Sequence, residues 1–433
     1  MSDGTRVARR VLLAGAAGAA ALPIMRSRHS FAQNAKTRIS FAWPFANGQK
    51  GIRDLAASFN EQSNSIEVEV QIVPQLQAIP KLTTAFTSGA GPDCLAISDI
   101  WLAQLAGGGW LESLEPYLQA SGIEADITPA SMGIARMYNN TAYYIGFVVE
   151  AFTLFYNKKH FAAAGLTEPP ATLDEFRVHA EKLTDASNNK FGYYVEGGDG
   201  WSFQQWTTWA IGTGGLGVNR TFFDANGRCV LNSPQHADGL QQWVDLYQKS
   251  KVSPPASAVG TFQDQISAFS AGQVAMNFGW GSFLSIMAKG VGEENLGTAR
   301  TPAGPTGSNF YFAGNGFALN AASPNKEAAW EFIRFLLRPE NNAPWNREYG
   351  AIPTNIRTWD QEWLKKPIYE PILAMLSDTP SLVYHPRYIP GYGSFQSQFS
   401  PPQIQKTLLG GQTAAQHLEQ IASALNELRN KNL

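Results

Sequence analysis

Two patterns of apolar residues follow each other through the first part of this 433-residue chain. Residues 52–59 place apolar side chains three and four positions apart, which predicts a helix. Residues 66–72 alternate between apolar and polar, which predicts a strand. Short apolar segments at 37–43 and 94–97 predict a strand on either side. Strands that alternate with helices favour a mostly parallel sheet with right-handed crossovers.

The same alternation continues along the rest of the chain. Residues 142–147, 152–156 and 274–278 are short apolar segments that predict further strands. Ser233-Pro234 and Ser323-Pro324 each predict the start of a helix, because serine caps helices and proline suits their first turn. No internal repeat or long linker interrupts this pattern, so the expected fold class is α/β.

The N-terminus has the composition of an export signal. Arg9 and Arg10 precede an apolar run at 11–24, and small residues stand at Ser30 and Ala32. This order predicts a cleavable signal peptide over 1–32 and a periplasmic or extracytoplasmic location. The paired arginines favour the twin-arginine route. The alternative is an irregular N-terminus of a protein that stays in the cytosol.

Charge and cysteine content exclude several classes of protein. Of the 33 basic and 35 acidic residues in the whole chain, residues 1–32 hold five Arg and one Asp, so the remainder carries a net charge of −6. A mildly acidic surface argues against a nucleic-acid partner. Two cysteines do not form a disulfide framework, and Cys94 in its apolar run is expected to be buried.

Signals for catalysis and for metal or cofactor binding are weak. No two of the six histidines have the spacing of metal ligands. Residues 212–217 match G-x-G-x-x-G but follow an aromatic stretch instead of a strand, so a turn is the better interpretation than a dinucleotide loop. Residues 224–227 favour a hairpin turn over a calcium loop. We therefore expect no enzyme activity, no metal and no cofactor.

Tryptophan is the most informative residue type, with twelve in the chain. Trp43 ends a predicted strand and Trp280 follows one, and ligands of open α/β sheets bind beyond the carboxyl ends of strands. Trp201 follows a glycine, and we add it to the candidate ligand-binding residues on composition alone. Aromatic faces at such a place suit the apolar faces of a sugar ring, with core packing as the alternative for each residue.

Several segments together resemble one known family. Phe41-Ala42-Trp43, Gly91-Pro92-Asp93 and Gly279-Trp280 have counterparts there in the same order and at similar spacing. Longer matching segments lie at 81–89, 150–158, 269–276, 314–319 and 323–329. The chain thus resembles the extracellular solute-binding proteins of ABC importers, in the maltose-binding-protein-like, sugar-binding group.

The resemblance implies a two-lobe periplasmic-binding-protein fold of class II type, in which each lobe is a mostly parallel sheet flanked by helices. It implies one lobe at 36–147 plus 315–352 and another at 148–314 plus 353–433. A hinge would join the lobes and close around ligand. The implied hinge residues are Gly146, Phe147, Gly314 and Gly316.

The resemblance also implies a set of ligand-binding residues and a role. Asp99 and Glu150 would accept hydrogen bonds from hydroxyl groups, with a helix cap and a hinge salt bridge as their respective alternatives. Tyr392 corresponds to a late aromatic residue of the family, on a weaker match. The implied ligand-binding residues, with Trp201 added from composition, are Trp43, Asp99, Glu150, Trp201, Trp280, Asn315 and Tyr392.

A monomeric, non-enzymatic carrier is the function that these expectations support. It would capture a mono- or oligosaccharide or a polyol and deliver it to the transmembrane permease of an ABC importer. A polyamine or a phosphorylated polyol is the alternative ligand. An exported carbohydrate-active enzyme is the remote alternative, since no pair of carboxylates stands out in the sequence as flanking one bond.

Overall fold

Strands and helices alternate along the computed structural model, which describes residues 36–45 and 47–432. The signal peptide predicted at 1–32 lies outside the described residues. The strands β1–β11 are Thr37–Trp43, Ile66–Ile72, Cys94–Ser98, Ile145–Ala151, Thr153–Asn157, Phe191–Tyr193, Val274–Gly279, Leu296–Ala299, Phe310–Leu319, Ile352–Pro353 and Leu382–Val383. The helices α1–α17 are Gln49–Gln62, Ala78–Thr87, Asp99–Gly107, Glu115–Ser121, Pro129–Ala135, Lys158–Ala163, Leu173–Lys182, Ser202–Gly214, Pro234–Gln248, Phe262–Ser270, Leu284–Val291, Lys326–Leu336, Pro339–Tyr349, Glu370–Ser377, Tyr392–Ser394, Ser400–Leu408 and Ala414–Asn430.

Two sheets organise these elements. The larger sheet has the order β10-β4-β9-β3-β1-β2, with β11 beside β9, and the smaller sheet has the order β6-β7-β5-β8. The parallel pairs are β1 with β2, β1 with β3, β9 with β11, and β6 with β7. The expected α/β class with two sheets is therefore present.

Both sheets are mixed, so the expectation of mostly parallel sheets was wrong. The long strand β9 runs antiparallel to both β3 and β4, and β5 runs antiparallel to β7 and β8. The reason is connectivity, because only strands joined by a local helical crossover must be parallel. β9 enters the larger sheet from a distant part of the chain, which the local alternation of strands and helices does not reveal.

Local sequence signals predicted one strand and one helix start correctly and missed another helix start. The strand predicted at 66–72 has those bounds, and Ser233 caps α9 by accepting a hydrogen bond from the His236 N–H. Ser323 does not cap α12, which begins at Lys326. The Ser323 hydroxyl accepts from the Asn325 N–H over 3.0 Å in the turn before the helix and donates to Asp93 Oδ1 over 2.6 Å.

Aromatic side chains fill the core beside each sheet. Next to the larger sheet, the Phe147 ring stacks on Phe317 with centroids 4.6 Å apart and lies 4.9 Å from the Trp345 ring. Next to the smaller sheet, the Phe278 ring packs against Phe176 at 5.4 Å. Offset and edge contacts of this kind add stabilisation beyond the area that the rings bury.

The positions implied as crossings between lobes are neighbours in the larger sheet. Val149 of β4 pairs with Ile352 of β10 on one side and with Gly314 of β9 on the other. A β-bulge separates Gly146 from Val148 within β4. The lobe boundaries and the hinge residues remain predictions, and these adjacent strands are where such a hinge would bend.

Glycine is required in these strands by close packing. A Cβ atom on Gly316 would lie 1.9 Å from a ring carbon of Tyr144, and a Cβ on Gly146 would lie 2.1 Å from Ser131 Oγ. Neither residue is among the glycines with positive φ. A side chain at either position would force buried neighbours to move.

Two expectations from composition can be compared with the described residues. Cys94 is buried as expected, and both Cys94 and Cys229 are free thiols. None of the helices in the described part of the chain combines the length and the apolar character needed to cross a membrane.

Replacing Gly316 by Ala should destabilise the protein by about 1–3 kcal/mol, because the new methyl group overlaps the buried Tyr144 ring. Urea unfolding of Gly316→Ala against the parent protein measures this. Gly133→Ala is the matched control, since its Cβ in α5 meets no atom closer than 4.0 Å. Equal stability of the two variants would contradict the packing argument.

Candidate ligand-binding site

A cavity of about 190 Å³ lies beyond the carboxyl ends of β1, β3 and β7. Residues of β4 and β9 in the larger sheet also reach it, and Trp280 directly follows β7 of the smaller sheet, so the cavity borders both sheets. The lining residues are Phe45, Asn47, Gln75, Ser98, Asp99, Ile100, Trp101, Glu150, Trp201, Phe262, Gln263, Ile266, Trp280, Ser282, Phe283, Ile286, Ala313, Asn315, Tyr349 and Arg387. This is the location at which ligands of open α/β sheets bind.

Two groups of aromatic side chains line the cavity. The first aromatic wall consists of Phe45 and Trp101, whose rings are stacked with centroids 6.0 Å apart and planes 9° apart. The second aromatic wall consists of Trp201, Phe262 and Phe283, and in it Phe262 stacks on Phe283 at 5.7 Å. Trp101 and Trp201 are half-buried, so each keeps part of its surface available.

Trp280 lines the cavity and packs against the second aromatic wall. It is 2% exposed, and its ring meets the Trp201 ring edge-on at 6.0 Å. The guanidinium carbon of Arg387 lies 5.9 Å from the Trp280 ring centroid, a distance that allows a cation–π contact. Trp280 therefore joins the aromatic wall to the charged part of the cavity.

A buried ion pair forms the polar part of the cavity. Arg387 Nη1 donates to Asp99 Oδ2, which also accepts from the Gly314 N–H over 3.2 Å. Burial raises the pKa of Asp99, while the charge of Arg387 and the Gly314 N–H act in the opposite direction. Asp99 begins α3, but its carboxylate bonds to β9 and to the C-terminal segment, so it is not the helix cap considered as its alternative.

Glu150 is the second carboxyl group of the cavity. Its Oε1 atom accepts from the Ser282 N–H over 3.0 Å. Burial raises the pKa of Glu150 to about 7, although the Ser282 bonds favour the charged form. Among the ion pairs of the described residues none includes Glu150, so the hinge salt bridge considered as its alternative is not formed.

Asn315 is fixed in the cavity by backbone and side-chain contacts. It pairs with Ser98 across β3 and β9, and its Nδ2 donates to Tyr349 Oη over 3.2 Å. Burial raises the pKa of Tyr349, which keeps the phenol protonated. Asn315 therefore contributes a side-chain amide group at a fixed position in the cavity lining.

Five of the seven sequence-predicted ligand-binding residues line this cavity, and two do not. Those that line it are Asp99, Glu150, Trp201, Trp280 and Asn315. Trp43 is fully buried in the core, where its indole N–H donates to the Asn47 carbonyl over 2.9 Å. Side chains two positions apart in a strand share a face, so Trp43 follows the buried Phe41 into the core.

Tyr392 also lies in the core instead of the cavity lining. Its side chain is fully buried, and its hydroxyl group hydrogen-bonds to His385 Nδ1 over 2.9 Å. The ring stacks near Phe395 with centroids 5.7 Å apart. Tyr392 begins a helical segment that passes through a π-helical stretch at Phe395–Phe399, so the ordinary helical spacing of apolar residues does not show which way its side chain points.

Arg387, Trp101 and Phe45 are cavity residues that the sequence reasoning missed. Phe45 and Trp101 follow β1 and β3 closely, so the rule that selected Trp43 could have selected them. Arg387 lies in a short 3₁₀ turn, Pro386–Tyr388, and carries no such signal. It reaches Asp99 only because the C-terminal segment folds back across 288 residues.

The sequence family described as bacterial extracellular solute-binding protein matches residues 42–343 of the chain. The chain belongs to this family. The resemblance drawn from the sequence segments is thereby confirmed. Solute binding is the common activity of the family. In the described part of the chain, no group of three or more His, Cys, Asp or Glu side chains is placed to hold a metal ion.

Individual relatives of this solute-binding protein agree with the family assignment. It is 26% identical over 382 residues to an erythritol/L-threitol-binding protein of Mycolicibacterium smegmatis, and the alignment covers 78% of each chain. It is 23% identical over 346 residues to the sn-glycerol-3-phosphate-binding periplasmic protein UgpB of Escherichia coli K12, covering 75% of this chain and 76% of that one.

A solved structure also matches the fold of this solute-binding protein. An ABC transporter solute-binding protein from Thermotoga lettingae, bound to α-D-tagatose, aligns with a TM-score of 0.79 at 24% identity. The alignment covers 91% of this chain and all of that one. The two-lobe α/β fold expected from the sequence is thus confirmed.

Replacing Arg387 by Met should cost about 3–5 kcal/mol of stability, because Asp99 would remain buried without its partner. The double variant Asp99→Leu/Arg387→Met should lose less than the single variant, since no charge is then left unpaired. Urea unfolding measures both. Lys249→Met is the control, because it breaks an exposed pair with Asp245 and should change stability by less than about 0.5 kcal/mol. An equally small effect for Arg387→Met would contradict the buried pair.

Glu150 should make folding stability depend on pH. Its folded pKa of about 7 lies above its ordinary value of 4.5, so the folded protein holds the proton more tightly than the unfolded chain. That stabilisation is complete below pH 4.5 and is lost as the pH rises to about 7. Relative to Glu150→Gln, the parent should lose up to about 3 kcal/mol across this window in urea unfolding. Exposed Glu61→Gln should show no such difference, and parallel pH profiles of the parent and Glu150→Gln would refute the shift.

Proposed function

We propose that this solute-binding protein captures a small, neutral polyhydroxy compound, a polyol or a single sugar, and delivers it to an ABC permease. One observation carries the proposal, namely that two aromatic walls and the polar groups of Asp99, Glu150 and Arg387 line the same cavity. Aromatic faces match the C–H faces of such a ligand, and carboxylates accept hydrogen bonds from its hydroxyl groups.

The energetics of such contacts suffice for capture. A hydrogen bond to a charged group contributes about 1.5–3 kcal/mol, and a micromolar dissociation constant requires only about −8 kcal/mol. Two carboxyl groups, one guanidinium and one amide therefore supply enough, together with aromatic contact, after the cost of ordering the site. Asp99 and Arg387 are already held by each other, so little freedom is lost when ligand arrives.

The size of the cavity supports a ligand at the small end of the predicted range. Its volume of about 190 Å³ is less than the ~300–1,000 Å³ typical of sites for drug-sized molecules. A polyol or a monosaccharide is therefore favoured over an oligosaccharide. The erythritol/L-threitol-binding relative and the structure bound to α-D-tagatose are named for ligands of this size.

The charges in the cavity disfavour the alternative ligands. Asp99, Glu150 and Arg387 are the charged residues among the described lining, and Arg387 is already bonded to Asp99. A phosphorylated polyol, as bound by the glycerol-3-phosphate-binding relative, would bring its charge to Glu150 without a free cation to receive it. A polyamine would find only Glu150 unpaired with a cation, and the raised pKa of Glu150 leaves part of that group neutral near pH 7.

Export and transport complete the proposal. Residues 1–32 would act as a cleavable twin-arginine signal, and the protein would work as a monomer outside the cytoplasm. Closure of the lobes about β4, β9 and β10 would enclose the ligand and present a surface to the permease. No chemical conversion is proposed, because the cavity residues are arranged for recognition.

A thermal-shift screen of the mature protein tests the ligand class. Erythritol, ribitol and D-tagatose are compared with maltotriose, sn-glycerol 3-phosphate and spermidine. A bound ligand at a hundred times its dissociation constant adds about 2.7 kcal/mol of stability, and we expect this only for members of the first group. Product analysis of the same mixtures checks that no compound is converted.

Matched tryptophan variants locate the response in the cavity. Trp201→Ala should weaken binding by about tenfold or more, because it removes a face of the second aromatic wall. Trp110→Phe should bind as the parent does, since Trp110 stacks on Phe86 outside the cavity lining. Stabilisation by maltotriose, glycerol 3-phosphate or spermidine alone would refute the proposed ligand class, as would conversion of a sugar to product.

A further inference from the structure

A network of buried side-chain amides joins the elements that carry the second aromatic wall. Gln205 of α8 and Gln265 of α10 are 1% and 2% exposed, and Gln205 Nε2 donates to Gln265 Oε1 over 2.8 Å. Gln265 Nε2 donates in turn to the Phe278 carbonyl oxygen and to Asn277 Oδ1, both in β7. Two side chains therefore connect three elements of the smaller-sheet region.

Each glutamine lies one helical turn from a residue of the wall. Gln205 follows Trp201 by four positions, and Gln265 follows Phe262 by three, so each glutamine shares a helix face with a wall residue. At the cavity end of the same two helices, Asp199 accepts from the Trp201 N–H over 2.8 Å and from the Phe262 N–H over 3.0 Å. The helices are thus joined at two levels, and the Trp201 and Phe262 rings meet edge-on at 5.8 Å.

The bond to β7 extends this arrangement to Trp280. β6 pairs with β7 only as far as Tyr193 opposite Met276, and the Gln265 amide reaches β7 beyond that point. Phe278 and Trp280 are two positions apart in extended backbone, so their side chains share a face. The position of Trp280 relative to α10 therefore depends on the bond from Gln265 to the Phe278 oxygen.

The direction of the hydrogen bonds fixes the orientation of both amides. Gln205 Oε1 accepts from the Tyr193 hydroxyl over 2.5 Å. Gln205 Nε2 also donates to Glu196 Oε2 over 3.2 Å, so both hydrogens of each glutamine Nε2 have an acceptor. Rotating either amide would place oxygen against oxygen and leave buried donors without partners. An apolar side chain of the same length could fill the space but could not hold this geometry.

We propose that Gln265 is the positioning residue of the second aromatic wall, and that it sets the separation of Phe262, Trp201 and Trp280 by tying α10 to α8 and to β7. Gln265 acts through these elements, since it is not among the described residues that line the cavity. The use of the wall for ligand binding rests on the function proposed above. The arrangement of the rings does not, because it requires no ligand.

Fluorine NMR of the protein labelled with 5-fluorotryptophan tests the ring arrangement without ligand. Single replacements by Phe assign the resonances of Trp201, Trp280 and Trp110. Gln265→Met should shift the Trp201 and Trp280 resonances, because the hydrogen bonds are lost although the side-chain length is kept. The Trp110 resonance should not move, since Trp110 stacks on Phe86 beside the larger sheet. Unshifted Trp201 and Trp280 resonances in a folded Gln265→Met would overturn the proposal.

Two variants of similar size separate positioning from packing. Gln265→Glu, kept neutral by burial at mildly acidic pH, can still accept from Gln205 and donate one bond to the Phe278 oxygen. It should therefore leave both tryptophan resonances closer to the parent positions than Gln265→Met does. The opposite order is expected if Gln265 only fills space, and it would overturn the proposal. If Gln265→Met does not fold, Gln265→Asn takes its place, because its amide is one methylene too short to bridge Gln205 and β7.

Ribitol binding then connects the network to recognition. Gln265→Met should weaken binding by about fivefold or more, because the wall loses its fixed separation. The matched variant Gln241→Met removes a hydrogen bond to Asp245 within α9 and should bind within about twofold of the parent. Gln205→Met/Gln265→Met should bind little worse than Gln265→Met, since both residues belong to one network.

The outcomes distinguish this proposal from the proposed function. Fold-losses of Gln205→Met and Gln265→Met that multiply in the double variant would contradict a single network. Parent-like ribitol binding by Gln265→Met would overturn its role in the wall while the proposed function stands. If the parent binds neither ribitol nor another polyol, the proposed function fails, and the fluorine resonances still decide whether Gln265 positions the rings.

Discussion

The buried ion pair between Asp99 and Arg387 is the interaction on which the rest of the site depends. It joins the end of β3, the backbone of β9 at Gly314 and a turn of the C-terminal segment. These three segments are far apart in the chain, so no local preference could assemble them. Because an unpaired charge at this depth would be costly, the pair ties the larger sheet and the C-terminal segment into one arrangement around the cavity.

Two kinds of support surround this ion pair. Trp280 packs against both Arg387 and Trp201, and thereby couples the charged groups to the second aromatic wall. Asp199 holds the backbone of that wall by accepting hydrogen bonds from the N–H groups of Trp201 and Phe262. The cavity is therefore a set of rigid groups, which suits a protein whose task is to recognise a solute at low cost in lost freedom.

The two buried carboxyl groups of the cavity differ in their hydrogen-bond partners. Asp99 keeps a cation and a backbone N–H, while Glu150 has the Ser282 N–H and a pKa raised to about 7. A neutral ligand with several hydroxyl groups can donate to both carboxyl groups without bringing a charge that needs compensation. Under the proposed function, the same balance of charges makes a phosphate ester or a polyamine a poor match, although one relative is named for binding sn-glycerol 3-phosphate.

The sequence by itself determined many of the local elements and the family, and it predicted several residues that line the candidate cavity. Alternation and spacing predicted β1 to β3, and strand ends with family-like segments predicted Asp99, Glu150, Trp280 and Asn315 as site residues, because such signals depend on neighbours in the chain. Only the tertiary structure decided the mixed sheets, the core positions of Trp43 and Tyr392, and the arrival of Arg387 beside Asp99. Each of these depends on which distant segment packs against which, and that is settled by burial and charge pairing across the whole fold.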